Sequence, residues 1–406
     1  MKWEFHAIKD VYEGLYDGPH ATPPVCDDGA IFLGISNISE NGHLDFSDIK
    51  YISEADLPRW TKRVTPKAGD IVFSYEAGLN RYAIIPEGFH GCLGRRMALI
   101  RPNEKKALGK FLYYYFFSAQ WRETIAANTI IGTTVDRIPL IKFPKFPVSL
   151  PDLNVQRRIV DTLSAYDDLI EVNNKRIKVL EQMAENLYKE WFVRFRFPGH
   201  ESTEFENGLP KGWKYVKFAD IYDYVRGVSY SSEEIDCDEG ENLINLKNIQ
   251  GYGGFRSDGT KRFNGQYKLE QVVHYKDLIM GVTDMTQDRR TVGAVALIPS
   301  MSGIISADLI KLISPLDNVF SYCLFRWGYY STYISQFGNG ANVIHLKPSS
   351  IKNAKILIPS EPLVNAFSRL VNPMIDQIDA LNRSIDALVK QRDLLLPRLM
   401  SGKLEV

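Results

Sequence analysis

Adjacent basic residues are the side chains of this sequence whose chemistry is easiest to name. Each pair offers two cations that can bind a phosphate group, as in Arg95-Arg96, Lys105-Lys106, Lys261-Arg262 and Arg289-Arg290. The 49 Lys and Arg residues are balanced by 49 Asp and Glu residues, so the net charge is zero. Because a free-standing nucleic-acid binder needs surplus positive charge, this balance argues against one unless the basic residues cluster on one face. Solvated surface charge is the alternative for each pair.

The sequence lacks the motifs that usually carry catalysis. It has no phosphate-binding Gly-x4-Gly-Lys-Ser/Thr loop, no HExxH or GxSxG, and no pair at ligand spacing among its seven histidines. A Gly-rich turn followed by an acidic residue, as a nucleotide or methyl-donor cofactor requires, is also missing. The four cysteines form no CxxC pair, so we expect neither a zinc ribbon nor disulfides, but reduced thiols as in the cytosol. These features favour a binding device over an enzyme.

Two long segments carry seam residues at alternating steps of four and three positions. The first set is Ile159, Leu163, Tyr166, Ile170, Asn173, Ile177, Leu180, Ala184, Leu187 and Trp191. The second set is Phe367, Val371, Met374, Ile378, Leu381, Ile385, Leu388, Arg392, Leu395 and Leu399. This spacing is typical of a coiled-coil seam. We therefore predict two helices, over about 153–192 and 363–400, that pair antiparallel within the chain.

Three residues interrupt this regular pattern. Asn173 stands where the second helix has Leu381. A buried Asn can fix the register of a coiled coil at a cost in stability; the interpretation that we favour is that the seam loosens there and Asn173 is solvated. Pro373 is expected to kink or delay the second helix, and Pro397 to disturb its end.

The chain also repeats itself outside the helices. Equivalent short segments recur at a separation of 207 to 211 residues: WEFHAIKDV at 3 and WKYVKFADI at 213, Asn37-Ile38 and Asn248-Ile249, the strand starts at 69 and 276, and Gly132 and Gly340. Each match alone is weak. Their near-constant separation predicts a tandem duplication of one unit of about 200 residues, longer than the usual solenoid repeat.

These patterns divide the chain into five segments. We predict a first β-rich domain (1–152, with a helix over about 110–127), a long helix (153–194), a polar linker (195–212), a second β-rich domain (213–360) and a second long helix (361–406). With 45% hydrophobic and 24% charged residues, the composition is that of a soluble globular protein. The longest apolar run, Phe111 to Phe117, is too short to span a bilayer, and the N-terminus lacks a signal-peptide core.

Several motifs resemble one family. DGPHATP (17–23), followed by FLGISNI and YISEAD, looks like the start of one class of target recognition domain, and VTDMTQDRRTVG (282–293) looks like the signature of another. The segment from Leu150 to Ile177 is similar to a central conserved region, LLLPRLMSGKL (394–404) to a distal one, and GLPKGW to the opening of a recognition domain. Together they resemble the specificity subunit of type I restriction-modification systems. The chain departs from the family pattern at Val155-Gln156, where an acidic residue usually precedes the Gln, and at Asn365-Ala366, where the Gln is missing.

The resemblance implies an α+β fold with two tandem mixed α/β target recognition domains, separated by two long antiparallel coiled-coil helices in a pseudo-two-fold internal repeat. It implies that each domain recognises one half of a split double-stranded DNA target, and that the helices set the gap and dock two methyltransferase (M) subunits. This chain would do no chemistry: S-adenosylmethionine, ATP and Mg²⁺ would be used by the methyltransferase and restriction/translocase (R) subunits, in the cytoplasm of a bacterium or archaeon. The alternatives are a protein-binding scaffold with duplicated modules and an enzyme with a degenerate site.

Base edges are recognised by polar side chains on presented loops. On this resemblance we predict DNA contacts in the first domain from Asp17, His20, Thr22, Asn37, Arg81, Arg95 and Arg96. In the second domain we predict them from Arg226, Ser229, Tyr230, Lys247, Asp284, Thr286, Gln287, Arg289, Arg290 and Asn342. A structural turn or surface role is the alternative for each. The two sets share little side-chain identity, which predicts an asymmetric target. Tyr188 and Phe192 are expected either to contact partners or to pack within the chain.

Overall fold

The computed structural model describes residues 2–235 and 237–405. It divides into two compact units, Met1–Glu171 with Ile385–Val406 and Val172–Ser384, so each unit combines a β-rich domain with parts of both long helices. Among the described residues, no helix combines the length and apolar composition needed to cross a bilayer. The cysteines of the described chain are free thiols.

The first unit contains nine short strands. They are β1 (Glu4–Ala7), β2 (Tyr12–Asp17), β3 (Ala30–Leu33), β4 (Lys50–Ile52), β5 (Ile71–Ser74), β6 (Tyr82–Ile84), β7 (Gly91–Leu93), β8 (Met97–Pro102) and β9 (Pro147–Leu150). They form a four-stranded antiparallel sheet in the order β2-β8-β5-β6, a three-stranded sheet β4-β3-β7 in which β3 and β7 are parallel, and the pair β1-β9. All residues of β5 are buried, because apolar layers cover both faces of this sheet.

Three short helices complete the first domain: α1 (Leu57–Trp60), α2 (Gly109–Tyr115) and α3 (Ala119–Asn128). The single helix predicted over 110–127 is wrong, because the chain breaks between α2 and α3. Ser118 has extended backbone there, and its hydroxyl accepts a hydrogen bond from the Trp121 amide at 3.2 Å, which caps α3. Trp121 is then buried in an aromatic core.

The second unit repeats this plan with additions. Its strands are β10 (Phe205–Glu206), β11 (Leu209–Pro210), β12 (Lys214–Lys217), β13 (Asp223–Arg226), β14 (Glu241–Ile244), β15 (Lys261–Phe263), β16 (Val272–Val273), β17 (Leu278–Gly281), β18 (Thr283–Asp284), β19 (Val295–Leu297), β20 (Gly303–Ile305), β21 (Leu309–Ile313), β22 (Ile344–His345) and β23 (Lys355–Ile358). The sheet β13-β21-β17-β19 corresponds to β2-β8-β5-β6, and β15-β14-β20 to β4-β3-β7, with β14 and β20 again parallel. The predicted duplication is confirmed by this shared topology.

The helices α4 (Leu153–Tyr188) and α8 (Glu361–Met400) are long, whereas α5 (Phe218–Ile221), α6 (Asn318–Trp327) and α7 (Tyr330–Ser335) are short helices of the second domain. A π-helical turn, Lys189–Val193, follows α4. The expected delay of α8 is wrong, because α8 begins before Pro373, and the helix also continues past Pro397 to Met400; the expected kink at Pro373 stays a prediction. Packing of its apolar face offsets the missing hydrogen bonds of these prolines.

Contacts inside each unit establish how the long helices pair. In the first unit, Arg392 near the end of α8 lies 2.7 Å from Asp167 in the first half of α4. In the second unit, Phe367 near the start of α8 packs edge-on against Trp191, just after α4, with ring centroids 5.9 Å apart. The beginning of each helix therefore pairs with the end of the other, which confirms the antiparallel prediction.

Every seam residue assigned from the heptad pattern is buried or half-buried. Asn173 is buried as well, and its side-chain amide donates to the Ser384 hydroxyl at 3.4 Å. The interpretation that Asn173 is solvated is therefore wrong. Tyr188 and Phe192 pack against each other in the core of the second unit. They are accordingly not free to contact a partner, and the intramolecular alternative holds.

The segment 195–212 is more ordered than a linker. It contains a 3-10 turn, His200–Ser202, and the hairpin β10-β11. Phe197 is buried and stacks on Trp213 with ring centroids 5.7 Å apart. This aromatic contact fixes the segment to the second domain.

Candidate nucleic-acid interface

One edge of the four-stranded sheet in the first domain gathers polar residues from three strands. The Gly18 amide donates to the Met97 carbonyl at 2.8 Å, and the Tyr75 amide donates to the Arg96 carbonyl at 3.2 Å. Asp17, Tyr75 and Arg96 therefore lie at neighbouring strand ends, and we call them the first sheet edge. The sequence predicted two of its three members.

Three arginines at or beside the first sheet edge have carboxylate partners. Arg63 lies 2.6 Å from Asp17, Arg96 lies 3.5 Å from Glu76, and Arg81 lies 3.3 Å from Glu40. His20 also contacts Asp17, at 2.9 Å. Part-exposed ion pairs of this kind contribute at most about 1 kcal/mol each, so a phosphate group can compete for the arginines.

Two loops meet beyond the first sheet edge. Residues 75–81 connect β5 to β6, and residues 129–137 follow α3; the Ala77 amide donates to the Asp136 carbonyl at 3.2 Å. Ala77 and Asn80 have positive φ angles of 55° and 62°, which give the first loop its tight bends. Between the loops lies a cleft of about 480 Å³. Ile131 at its rim is 86% exposed.

The second domain has an equivalent arrangement, the second sheet edge of Arg226, Val282 and Asp308. The Gly227 amide donates to the Leu309 carbonyl at 3.3 Å, and the Val282 amide donates to the Asp308 carbonyl at 2.9 Å. Arg226 is exposed and Asp308 is half-buried. Neither side chain has an ion pair among the residues that the structure describes.

Asp284 holds the loop that follows the second sheet edge. Its carboxylate accepts hydrogen bonds from the Thr286 amide, the Thr286 hydroxyl and the Thr291 amide, each at 2.8 Å. Burial alone would raise the pKa of Asp284, but the hydrogen bonds from Thr291 and Thr286 outweigh it and hold the pKa of this carboxyl below its ordinary value. These bonds hold the loop in shape, and a contact between Asp284 and a base stays a prediction.

The loop shaped by Asp284 lies against a second loop, as in the first domain. The Gln287 side-chain amide donates to the Ala341 carbonyl at 2.7 Å, and the Arg289 guanidinium donates to the Ser335 carbonyl at 3.1 Å. Arg290 lies 2.9 Å from Asp288. The structure thus brings Gln287 and the exposed Asn342 into neighbouring loops.

Asn37 has a structural role that its predicted DNA contact does not explain. It is 5% exposed, its Oδ1 accepts from the Gly34 amide at 2.9 Å, and its Nδ2 donates to the carbonyls of Asp45 and Asp48. Asn248 makes the same turn in the second domain, with its Oδ1 on the Asn245 amide at 2.9 Å. Because corresponding bonds recur in both domains, Asn37 holds this turn, and its contact with DNA stays a prediction.

The remaining predicted residues are dispersed over the two domains. Thr22, Arg95, Ser229, Lys247 and Thr286 are exposed, whereas Tyr230 is half-buried against a small apolar cluster. Lys247 lies in the turn stabilised by Asn248, away from the second sheet edge. Among residues 2–235 and 237–405, no group of His, Cys, Asp and Glu side chains could hold a metal ion.

Sequence reasoning missed Arg63, Tyr75, Glu76 and Asp308 at the sheet edges, and it missed the loop 129–137. The internal repeat could have identified the loop. It makes Gly132 equivalent to Gly340 and therefore makes Thr134 equivalent to Asn342, which was predicted to contact DNA. Glu76 and Arg137 form a β-bridge that corresponds to the β18-β22 pair. For Arg63, which lies far from the edge in sequence, the repeat gave no signal.

Comparison with known proteins gives a family match over the first part of the chain and relatives that cover most of its length. The family model described as type I restriction modification DNA specificity domain matches residues 2–182. The type I restriction enzyme MjaIX specificity subunit of Methanocaldococcus jannaschii is 26% identical over 364 residues, covering 87% of this chain and 82% of that protein. The type I restriction enzyme HindI specificity subunit of Haemophilus influenzae is 22% identical over 449 residues, covering 92% and 94%.

A solved structure shares the fold. The crystal structure of the type I restriction-modification system S subunit from M. genitalium matches with a TM-score of 0.59 and 15% sequence identity, covering 98% of this chain and 96% of that one. The family model, these relatives and the repeated topology agree with one another. Residues 2–182 match the type I restriction modification DNA specificity domain, and the chain as a whole is similar to type I restriction enzyme specificity subunits.

Proposed function

We propose that this chain is the DNA sequence-specificity subunit of a type I restriction-modification complex. Each recognition domain contacts one half of a bipartite, asymmetric DNA target through its sheet edge and the two loops beside it. The observation that carries this proposal is that the same backbone framework presents different polar side chains in the two domains. Two equivalent platforms with different chemistry suit two different half-sites. The scaffold alternative is not favoured, because it gives no reason for this difference.

The long helices have two roles in this proposal: they set the length of DNA between the half-sites and dock two methyltransferase subunits. Support comes from exposed apolar residues of α4, namely Leu169, Val172, Val179 and Met183. Their spacings of three, seven and four residues put them on one helical face, which a partner can cover. Methyltransferase subunits that hold S-adenosylmethionine would modify adenines, and restriction/translocase subunits would use ATP and Mg²⁺.

Reconstitution tests this proposal. The purified chain alone should show no methyltransferase, ATPase or nuclease activity, whereas its complex with the methyltransferase subunits should methylate DNA. Sequencing of methylated bases in a host that carries these genes should return one split motif with a fixed gap. Turnover by the pure chain that a point substitution within it abolishes would contradict the proposal, as would methylation without a split motif.

A further inference from the structure

Three positions at each sheet edge are equivalent between the two domains. The Tyr75 amide bonds to the Arg96 carbonyl as the Val282 amide bonds to the Asp308 carbonyl. Tyr75 is therefore equivalent to Val282, and Arg96 to Asp308. Gly18 follows Asp17 and Gly227 follows Arg226, and the amides of these two glycines make equivalent hydrogen bonds. Asp17 is therefore equivalent to Arg226. The acidic and basic positions are therefore exchanged: Asp17 and Arg96 in the first domain correspond to Arg226 and Asp308 in the second.

An equivalent ion pair elsewhere in the two domains keeps its chemistry. Asp70 accepts from the Lys67 amide and pairs with Arg101 at 2.7 Å. Its counterpart Asp277 accepts from the His274 amide and pairs with Lys311 at 3.4 Å. This framework pair thus retains an acid beside a base, whereas the sheet edge exchanges the two. The fold itself does not demand particular charges at the edge.

The Tyr75 hydroxyl is the second anomaly at this edge. Tyr75 is 7% exposed, and its hydroxyl has no hydrogen-bond partner among the described residues. Burial raises the pKa of Tyr75; the nearby Asp17 and Glu76 raise it further, and Arg63 and Arg96 oppose them, so these four charged groups lie within electrostatic range of the ring. A buried polar group without a partner is costly. Val282 fills the equivalent position without a hydroxyl, so folding does not require this one.

The chemistry at these positions suits bases better than phosphates. The phosphate backbone is the same in both half-sites, so residues that bind it need not differ between the domains. Asp17, Glu76 and Asp308 would repel a phosphate. A protonated tyrosine hydroxyl can instead donate to an acceptor on a base edge, and a carboxylate can accept from a base amino group.

We propose, on the basis of the function proposed above, that Tyr75 and Asp308 are specificity-determining residues. Tyr75 donates a hydrogen bond to an acceptor on a base edge of the half-site bound by the first domain. Asp308 accepts a hydrogen bond from a base amino group in the other half-site. The part-exposed side chains of Arg63 and Arg96 change rotamer to admit the base to Tyr75, as interface side chains commonly do.

Tyr75→Phe removes a single oxygen atom and tests the first assignment. Methylated motifs are sequenced from hosts that carry the full system with the native or the variant chain. We expect relaxation at one base of one half-site, with a roughly two- to tenfold loss of selectivity there, and a thermal midpoint that is unchanged or raised. An unchanged motif, or a uniform loss of methylation at all sites, overturns the assignment.

Tyr115→Phe is the matched control in the same domain. The Tyr115 hydroxyl accepts from the buried Ser149 amide at 3.1 Å, away from the sheet edge. This variant should lower the thermal midpoint and leave the motif unchanged. A motif that changes equally in both Phe variants would show an effect on stability and would overturn the role of Tyr75.

Asp308→Asn tests the second assignment with an isosteric change, and Asp277→Asn is its control. Asp308→Asn should alter one base preference in the other half-site only, whereas Asp277→Asn should alter none. If the Asp308→Asn variant yields the same motif as the native chain, the assignment of Asp308 is wrong. The result with the native chain distinguishes the failure of the two proposals. If a host that carries the native system yields no split motif, the proposed function is wrong. If it yields a split motif that neither edge variant changes, only the inference about Tyr75 and Asp308 is wrong.

Discussion

The two sheet edges share a backbone framework but not an electrostatic arrangement. At the first edge, Arg63, Arg81 and Arg96 each lie within 3.5 Å of a carboxylate. At the second edge, Arg226 and Asp308 have no ion pair among the described residues. At the first edge, DNA binding must therefore compete with internal ion pairs, whereas at the second edge such competition arises only in the neighbouring loop, where Arg290 pairs with Asp288. The repeated hydrogen bonds thus preserve the platform, while its charged side chains are free to differ.

The largest effect is expected from lengthening both long helices, because this changes the target without changing either sheet edge. Inserting one heptad at paired seam positions of α4 and α8 adds about 10 Å, or about three base pairs. Methylation of the native target should be lost and a motif with a longer gap should appear, its two half-sites unchanged. Sequencing of methylated bases measures both; a motif with the original gap would rule out the helices as the spacer.

Removing the equivalent framework acids should destabilise the two domains unequally. Asp70 is 1% exposed and bonds Arg101 through both carboxylate oxygens, at 2.8 and 2.7 Å. Asp277 lies 3.4 Å from Lys311, and its side chain is more exposed than that of Asp70. Asp70→Ala should cost about 3 kcal/mol in the first domain, and Asp277→Ala about 1 kcal/mol in the second. Hydrogen exchange resolved by domain measures both; equal losses would mean that the two frameworks are held equally.

Truncation of Gln287 should affect only the half-site bound by the second domain. Gln287→Ala removes an exposed amide and its bond to Ala341, and the expected loss is about 1–3 kcal/mol if that amide contacts a base. Binding of the assembled complex to targets altered in one half at a time measures this. Equal weakening for both halves would indicate an effect on folding or assembly. Lys214→Ala, an exposed change on β12, is a suitable control.

The smallest effect is expected from releasing a single arginine. Glu40→Gln removes the partner of Arg81 and should strengthen binding by about 0.2–1 kcal/mol, with a steeper dependence on salt. Asp288→Asn releases Arg290 in the second domain in the same way and serves as the comparison. Titrations at several salt concentrations measure both slopes. Weaker binding by the Glu40 variant would show that its ion pair with Arg81 organises the interface instead.

The pattern of apolar residues predicted the long helices well, because burial along a helix repeats with a fixed spacing. Ile159 and Leu163 are fully buried where the heptads put them. Local rules failed where tertiary contacts outweigh them. Pro373 is accommodated inside α8, and Ser118 divides the helix that the apolar residues around it had suggested. Asn173 is buried because Ser384 gives its amide a partner.

The candidate interface was only partly predictable. Asp17 and Arg96 were found because motif and charge mark them in the sequence, whereas Tyr75 looks like an ordinary strand residue. Its unpartnered hydroxyl is visible only once the surrounding chain is in place. Asn37 shows the reverse case: the sequence motif marks it as a candidate, but the hydrogen bonds that its side chain makes within its own turn are visible only in the tertiary structure.

The duplication, the heptad helices and the absence of familiar catalytic motifs could be read from the sequence, because each is recorded in the order and spacing of residues along the chain. Which polar side chains meet depends instead on the tertiary structure. Arg63 reaches Asp17 from 46 positions away, and the exchange of Asp17 and Arg96 for Arg226 and Asp308 emerges from hydrogen bonds between strands. A sheet edge joins strand ends that are distant in sequence, and no local pattern encodes which of them become neighbours.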